Sequence, residues 1–141
     1  MDQLPVEKPL GIVVVGQDSS LNYLLGRYAE LCGYTISFEK SPASAEAVRQ
    51  SKPVAVIFPS TKTLAGAQAL AAELTNSDIP IIVCSSVLDQ TKTRELGADY
   101  CLLHPLVFDS FSITLQAIAA SRNEDRAAHG ETPGSSPINP V

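Results

Sequence analysis

Three short, unbroken apolar runs constrain this chain more than anything else in it. Ile12-Val13-Val14-Val15, Val54-Ala55-Val56-Ile57-Phe58 and Ile81-Ile82-Val83-Cys84 are four or five residues long, rich in β-branched side chains and bounded by Gly, Pro or polar residues. A strand with one wet face alternates apolar and polar residues. A continuous apolar run of this length predicts a strand buried on both faces, as in a parallel sheet covered by helices. Two weaker strands complete the set, Tyr34 to Phe38, which alternates, and Tyr100 to Leu103.

The segments between the runs carry helical spacing. Leu21, Leu24, Leu25, Tyr28 and Cys32 recur three and four apart, after N-cap oxygens at Asp18, Ser19 and Ser20 and before the stop at Gly33. Ala43 to Gln50 predicts a short helix, and Leu64, Ala67, Leu70, Ala71 and Leu74 a third. Asp89 to Leu96, ended by Gly97, predicts a short polar fourth, and Phe108, Phe111, Leu115 and Ile118 a last one. Five strands alternating with five helices predict an α/β domain, a doubly wound parallel sheet with right-handed crossovers. By analogy with the flavodoxin-like class, the expected strand order is 2-1-3-4-5. Residues 1–9 form an N-terminal extension and 10–121 the domain. Residues 122–141, with three prolines, two glycines and no apolar period, read as a disordered tail or linker.

Charge and cysteine content narrow the function classes. The net charge of −5 and the scattered Lys and Arg residues argue against a nucleic-acid surface. The run from Gly11 to Val15 is far shorter than the roughly 20 residues that cross a bilayer, so no membrane association is expected. Cys32, Cys84 and Cys101 fit no zinc or redox spacing and sit among apolar neighbours, so reduced thiols in a cytoplasmic protein are expected, with no metal and no cofactor. A Cys84 nucleophile would need exposure and a basic partner, which an apolar strand does not offer.

Three segments carry a family resemblance. Pro53 to Pro59, Ile79 to Ser86 and Gly97-Ala98-Asp99-Tyr100-Cys101-Leu102-Leu103-His104-Pro105 resemble response-regulator receiver domains, in order and spacing, over about Leu10 to Ser121. The resemblance implies a bacterial two-component-type signalling role and a phosphorylation pocket at the C-terminal ends of the strands. Such a pocket needs two acids after the first strand to hold magnesium, an aspartate nucleophile after the third, a hydroxyl after the fourth and a lysine before the last proline. Here the acid positions fall on Gly16 and Gln17. Asp18 enters only with a one-residue slip and has an alternative task as a helix cap. The nucleophile position falls on Pro59, the hydroxyl on Ser85 and the lysine on His104. The chain therefore resembles a pseudo-receiver: not an enzyme, but a phosphorylation-independent module that binds a protein partner, with a homodimer as a further expectation. Receivers place a cis bond before the last proline, so His104–Pro105 is expected to be cis. The fifth-strand position where receivers carry a switching aromatic falls on Cys101, with Tyr100 on the opposite strand face. The expected partner face combines Lys92, Arg94 and Glu95, together with Thr91, on the fourth helix, Tyr100 and Cys101 on the strand, and Ser112 and Gln116 on the last helix. An alternative reading, a flavodoxin-like domain binding a small ligand or nucleotide, rests on the strand-to-helix loop Gly16 to Ser20, where backbone N–H groups favour anions. It lacks the Gly-rich phosphate loop and the Ser/Thr-rich flavin loop.

Overall fold

A computed structural model describes residues 10–16, 18–40 and 44–130, apart from the side chains of residues 19 and 123–130. Gln17, the extension 1–9 and the tail from residue 131 lie outside the described residues. The elements follow one another as β1 (Leu10–Val15), α1 (Ser19–Leu31), β2 (Tyr34–Glu39), α2 (Ala45–Gln50), β3 (Ala55–Phe58), α3 (Thr61–Ala65), α4 (Gln68–Asn76), β4 (Ile81–Ser85), a single 3-10 turn (Val87–Asp89), α5 (Gln90–Glu95), β5 (Tyr100–Leu103) and α6 (Phe108–Gly130). The five strands pair in parallel in the order β2-β1-β3-β4-β5, as expected.

The apolar runs are buried because they are sandwiched. Every residue of β3 and β4 is buried. Alternation along β1 sends Ile12 and Val14 to one layer, against Leu25 and Ala29 of α1 and Phe111, Leu115 and Ile118 of α6. Val13 and Val15 go to the other, against Val48 of α2, Leu64 of α3 and Leu70, Ala71 and Leu74 of α4. Tyr28 closes the α1–α6 seam edge-on to Phe108, with ring centroids 5.4 Å apart.

One expectation is corrected. The third helix is two helices, which makes six α-helices among the described residues in place of five. Ser60 caps α3 by accepting from the Thr63 N–H at 3.0 Å. Gly66, a poor helix former, then ends it with its N–H turned back to Leu64 and Lys62, and Ala67 leaves helical geometry (φ −127°, ψ 40°) before α4 begins. An apolar period that spans both pieces cannot register this break. The last helix, α6, runs on past residue 121, to Gly130. Arg122 to His129 holds no Gly or Pro, so nothing in it stops a helix already nucleated by packing.

Candidate functional site: the C-terminal rim of the sheet

The loops after β1, β3, β4 and β5 meet at one end of the sheet, where open parallel sheets bind ligands. At the first of these positions the backbone itself limits the chemistry. Gly16 is buried with φ +119°, a conformation that L side chains rarely adopt. A Cβ built there would lie 3.0 Å from the Thr63 methyl and 3.2 Å from Cγ of Pro59. The buried Pro59 ring and Thr63 thus fill the ground in front of β1. The hydroxyls after β3 are turned inward to the turn: Ser60 Oγ and Thr63 Oγ1 share a hydrogen bond of 2.9 Å. Thr63 escaped the sequence reading; its signal is the Ser60-x-x-Thr63 spacing of a helix N-terminus.

Asp18 is exposed and caps α1, its Oδ1 accepting from the Leu21 N–H at 3.1 Å. The cap brings a carboxylate to the helix end where an anionic ligand would dock, which weighs against the nucleotide-binding alternative. Gln17 lies outside the described residues.

The β4–β5 side of the rim differs. Ser85 is 3% exposed; its hydroxyl donates to the Ser86 carbonyl at 3.2 Å and shares a 3.0 Å hydrogen bond with Cys101 Sγ. His104 is exposed, its backbone N–H donates to the Ser85 carbonyl at 3.0 Å, and the His104–Pro105 peptide is cis. Ser85, Cys101 and His104 are therefore joined into one hydrogen-bonded unit. Cys84 faces the α1–α6 layer, and burial, with smaller contributions from Cys101 and Asp18, pushes its thiol up to about 12. It stays protonated near neutral pH, so the thiolate that a nucleophile needs is absent. Among the described residues no group of three His, Cys, Asp or Glu side chains converges as a metal site, and no helix is long and apolar enough to cross a membrane.

The expected partner face is brought together only in part. Thr91, Lys92, Arg94 and Glu95 are exposed on α5, while Thr93 is buried and donates to the Gln90 carbonyl at 2.8 Å. Arg94, Tyr100 and Cys101 share one small cleft between α5 and β5, whereas Glu95 turns to a separate groove beside Gln68 and Ala71 of α4. Tyr100 packs on the α1–α6 layer and Cys101 on the opposite one, as alternation requires. On α6, Gln116 donates to the Ser112 hydroxyl at 3.1 Å. The sequence reading passed over the apolar members of this region. Val87 and Leu88 are 63% and 93% exposed, and their signal is an apolar pair one residue beyond the strand that ends at Ser85.

No protein-family model matches the sequence, and no curated protein matches it. Solved structures do resemble it. The signal receiver domain of a protein assigned as the LuxO repressor of Vibrio parahaemolyticus superposes with a TM-score of 0.68 at 17% identity, covering 88% of this chain and 100% of that one. The receiver domain of the TMAO respiratory system response regulator TorR gives 0.61 at 20% identity, over 80% of this chain and 98% of that one. An atypical orphan response regulator, described as having a phosphorylation-independent regulatory mechanism, gives 0.60 at 15% identity, over 79% and 96%. This chain has the fold of a response-regulator receiver domain. The β1–β3 half of the rim holds Gly16 and Pro59, and its β4–β5 half holds Ser85 and His104.

Proposed function

We propose that this domain is a pseudo-receiver, a cytoplasmic signalling module that works without phosphorylation and through protein–protein contact in a bacterial two-component-type system. The observation that carries this reading is the crowding of Gly16 by Pro59. The position of the nucleophile holds a proline, and its ring lies 3.2 Å from where a Cβ at Gly16 would stand, on a backbone at positive φ that resists any acidic side chain. Acyl-phosphate formation needs a carboxylate oxygen, and magnesium needs hard oxygen ligands beside it. The atypical orphan regulator of the same fold offers a precedent for regulation without phosphorylation. The proposed contact surface is the α5–β5–α6 side, with Arg94, Tyr100 and Cys101 around the shared cleft, Lys92 on the same helix and the exposed Val87–Leu88 pair in the turn before α5.

The test is a titration of the domain with beryllofluoride and magnesium, and separately with acetyl phosphate, followed by amide NMR. Unchanged spectra are expected. Saturable, magnesium-dependent shifts around Ser85 would overturn the reading. Reversing both charges with Lys92→Glu and Arg94→Glu is expected to abolish capture of the native partner, and unchanged affinity would exclude this face.

A further inference from the structure

The two edges of the sheet are guarded differently. β5 is four residues long and runs directly into the cis His104–Pro105 step. β2 is six residues long, Tyr-Thr-Ile-Ser-Phe-Glu, and among the described residues its one neighbour is β1. From Tyr34 to Phe38 it carries no proline and no charge, Glu39 and Lys40 standing only at its end, and Phe38 is 46% exposed.

The direction of its free backbone groups follows from one bond. The Gly16 N–H donates to the Glu39 carbonyl at 2.9 Å, so Glu39 points its backbone at β1. Because these groups alternate along a strand, Thr35 and Ser37 point the same way and Tyr34, Ile36 and Phe38 point outward. That parity selects the partners of the edge. A second β2 strand running antiparallel places Ile36 opposite Ile36 on a two-fold axis, and Tyr34 opposite Phe38, each pair exchanging two hydrogen bonds. Pairing Ile36 with Ser37 is excluded, since Ser37 faces β1. A shift by two residues either way leaves one end of the strand unpaired or slides it past its partner.

In the selected register the side chains complement their own copies. On the α1 side an aromatic pair flanks an aliphatic pair; on the α2 side Thr35, whose Oγ1 donates to the Leu10 carbonyl at 3.4 Å, lies opposite Ser37. Glu39, the one charged residue of β2, lies opposite Gly33, so no like charges face each other. We infer that the β2 edge binds a second copy of this chain, forming a two-fold, continuous sheet across the pair. The contact is distinct from the α5–β5–α6 side, and it stands or falls independently of the function proposed above. A strand-to-strand contact of this length is a small interface, so the association is concentration-dependent.

Sedimentation velocity across a concentration series tests it on the full chain. The expected result is reversible dimerisation. Phe38→Pro removes an outward N–H and leaves the β1 ladder whole, and is expected to weaken the dimer about tenfold. Thr35→Lys with Ser37→Lys sets like charges opposite each other across the axis and is also expected to weaken it. Thr35→Lys with Ser37→Glu sets opposite charges there and is expected to strengthen it. Both altered residues are exposed, so folding is preserved and is checked by thermal unfolding. A monomer at every concentration, or a dimer indifferent to the two charge designs, would overturn the inference.

Discussion

The two halves of the rim have been built on different physical terms. Between β1 and β3 the ground is occupied by packing: a glycine at positive φ, with a buried proline ring and a threonine methyl standing where its Cβ would go. Between β4 and β5 the ground is held by hydrogen bonds: Ser85 to Cys101, and the His104 backbone to Ser85. The β1–β3 half is thus packed like core, and the β4–β5 half keeps polar groups in contact. Packing tolerates no new side chain without strain, whereas a hydrogen-bonded unit tolerates isosteric exchange, so the halves should answer mutation differently.

The largest expected effect is in the packed half. Gly16→Asp combines positive φ, a crowded Cβ and a carboxylate without a partner, and should cost about 3–5 kcal/mol in urea unfolding. Magnesium should not restore it. If magnesium did, the half would still be a metal site in waiting and the contrast would fail.

A pH effect comes next, from Cys84 beneath the rim. Its folded-state pKa is raised from 9.0 to about 12, so the folded state holds a proton that the unfolded chain loses first. The stability from this group is complete below pH 9 and lost as pH rises from 9 towards 12, at about 1.4 kcal/mol per pH unit. Chemical denaturation under reducing conditions should show this slope in the parent chain and lose it in Cys84→Val.

Smaller effects sharpen the contrast. Asp18→Ala removes the cap of α1 and should cost about 1 kcal/mol, with no change in any magnesium response, because the carboxylate works as a cap. A binding isotherm for magnesium that Asp18→Ala abolishes would show otherwise. In the hydrogen-bonded half, Ser85→Cys keeps a partner for Cys101 and should cost less than Ser85→Val, which removes it; the difference, about 1 kcal/mol, is read by thermal unfolding. Equal losses would mean that packing governs both halves alike.

Much of the fold is legible in the residues. The double-sided strands are visible as unbroken β-branched runs, because only burial on both faces makes that pattern favourable. Asp18 is legible as a cap because the bond it makes is local, three residues along the chain. The lack of carboxylates at Gly16 and Pro59 is legible too, since a proline or a glycine offers none in any conformation. The break at Gly66 and the length of α6 were not legible, because both turn on whether neighbouring packing continues a helix that local preference leaves open.

What the sequence determined by itself, then, is which elements form, the order of burial along each strand and which chemical groups the rim lacks. Tertiary structure alone decided that Pro59 and Thr63 crowd Gly16, that Ser85 meets Cys101, that Glu95 parts from Arg94 across α5, and that the β2 backbone groups turned away from β1 are those of Tyr34, Ile36 and Phe38. These contacts join residues distant in the chain, or depend on which side of a strand its neighbour lies. Composition and periodicity describe one element at a time, and such pairings exist only once the sheet has been assembled.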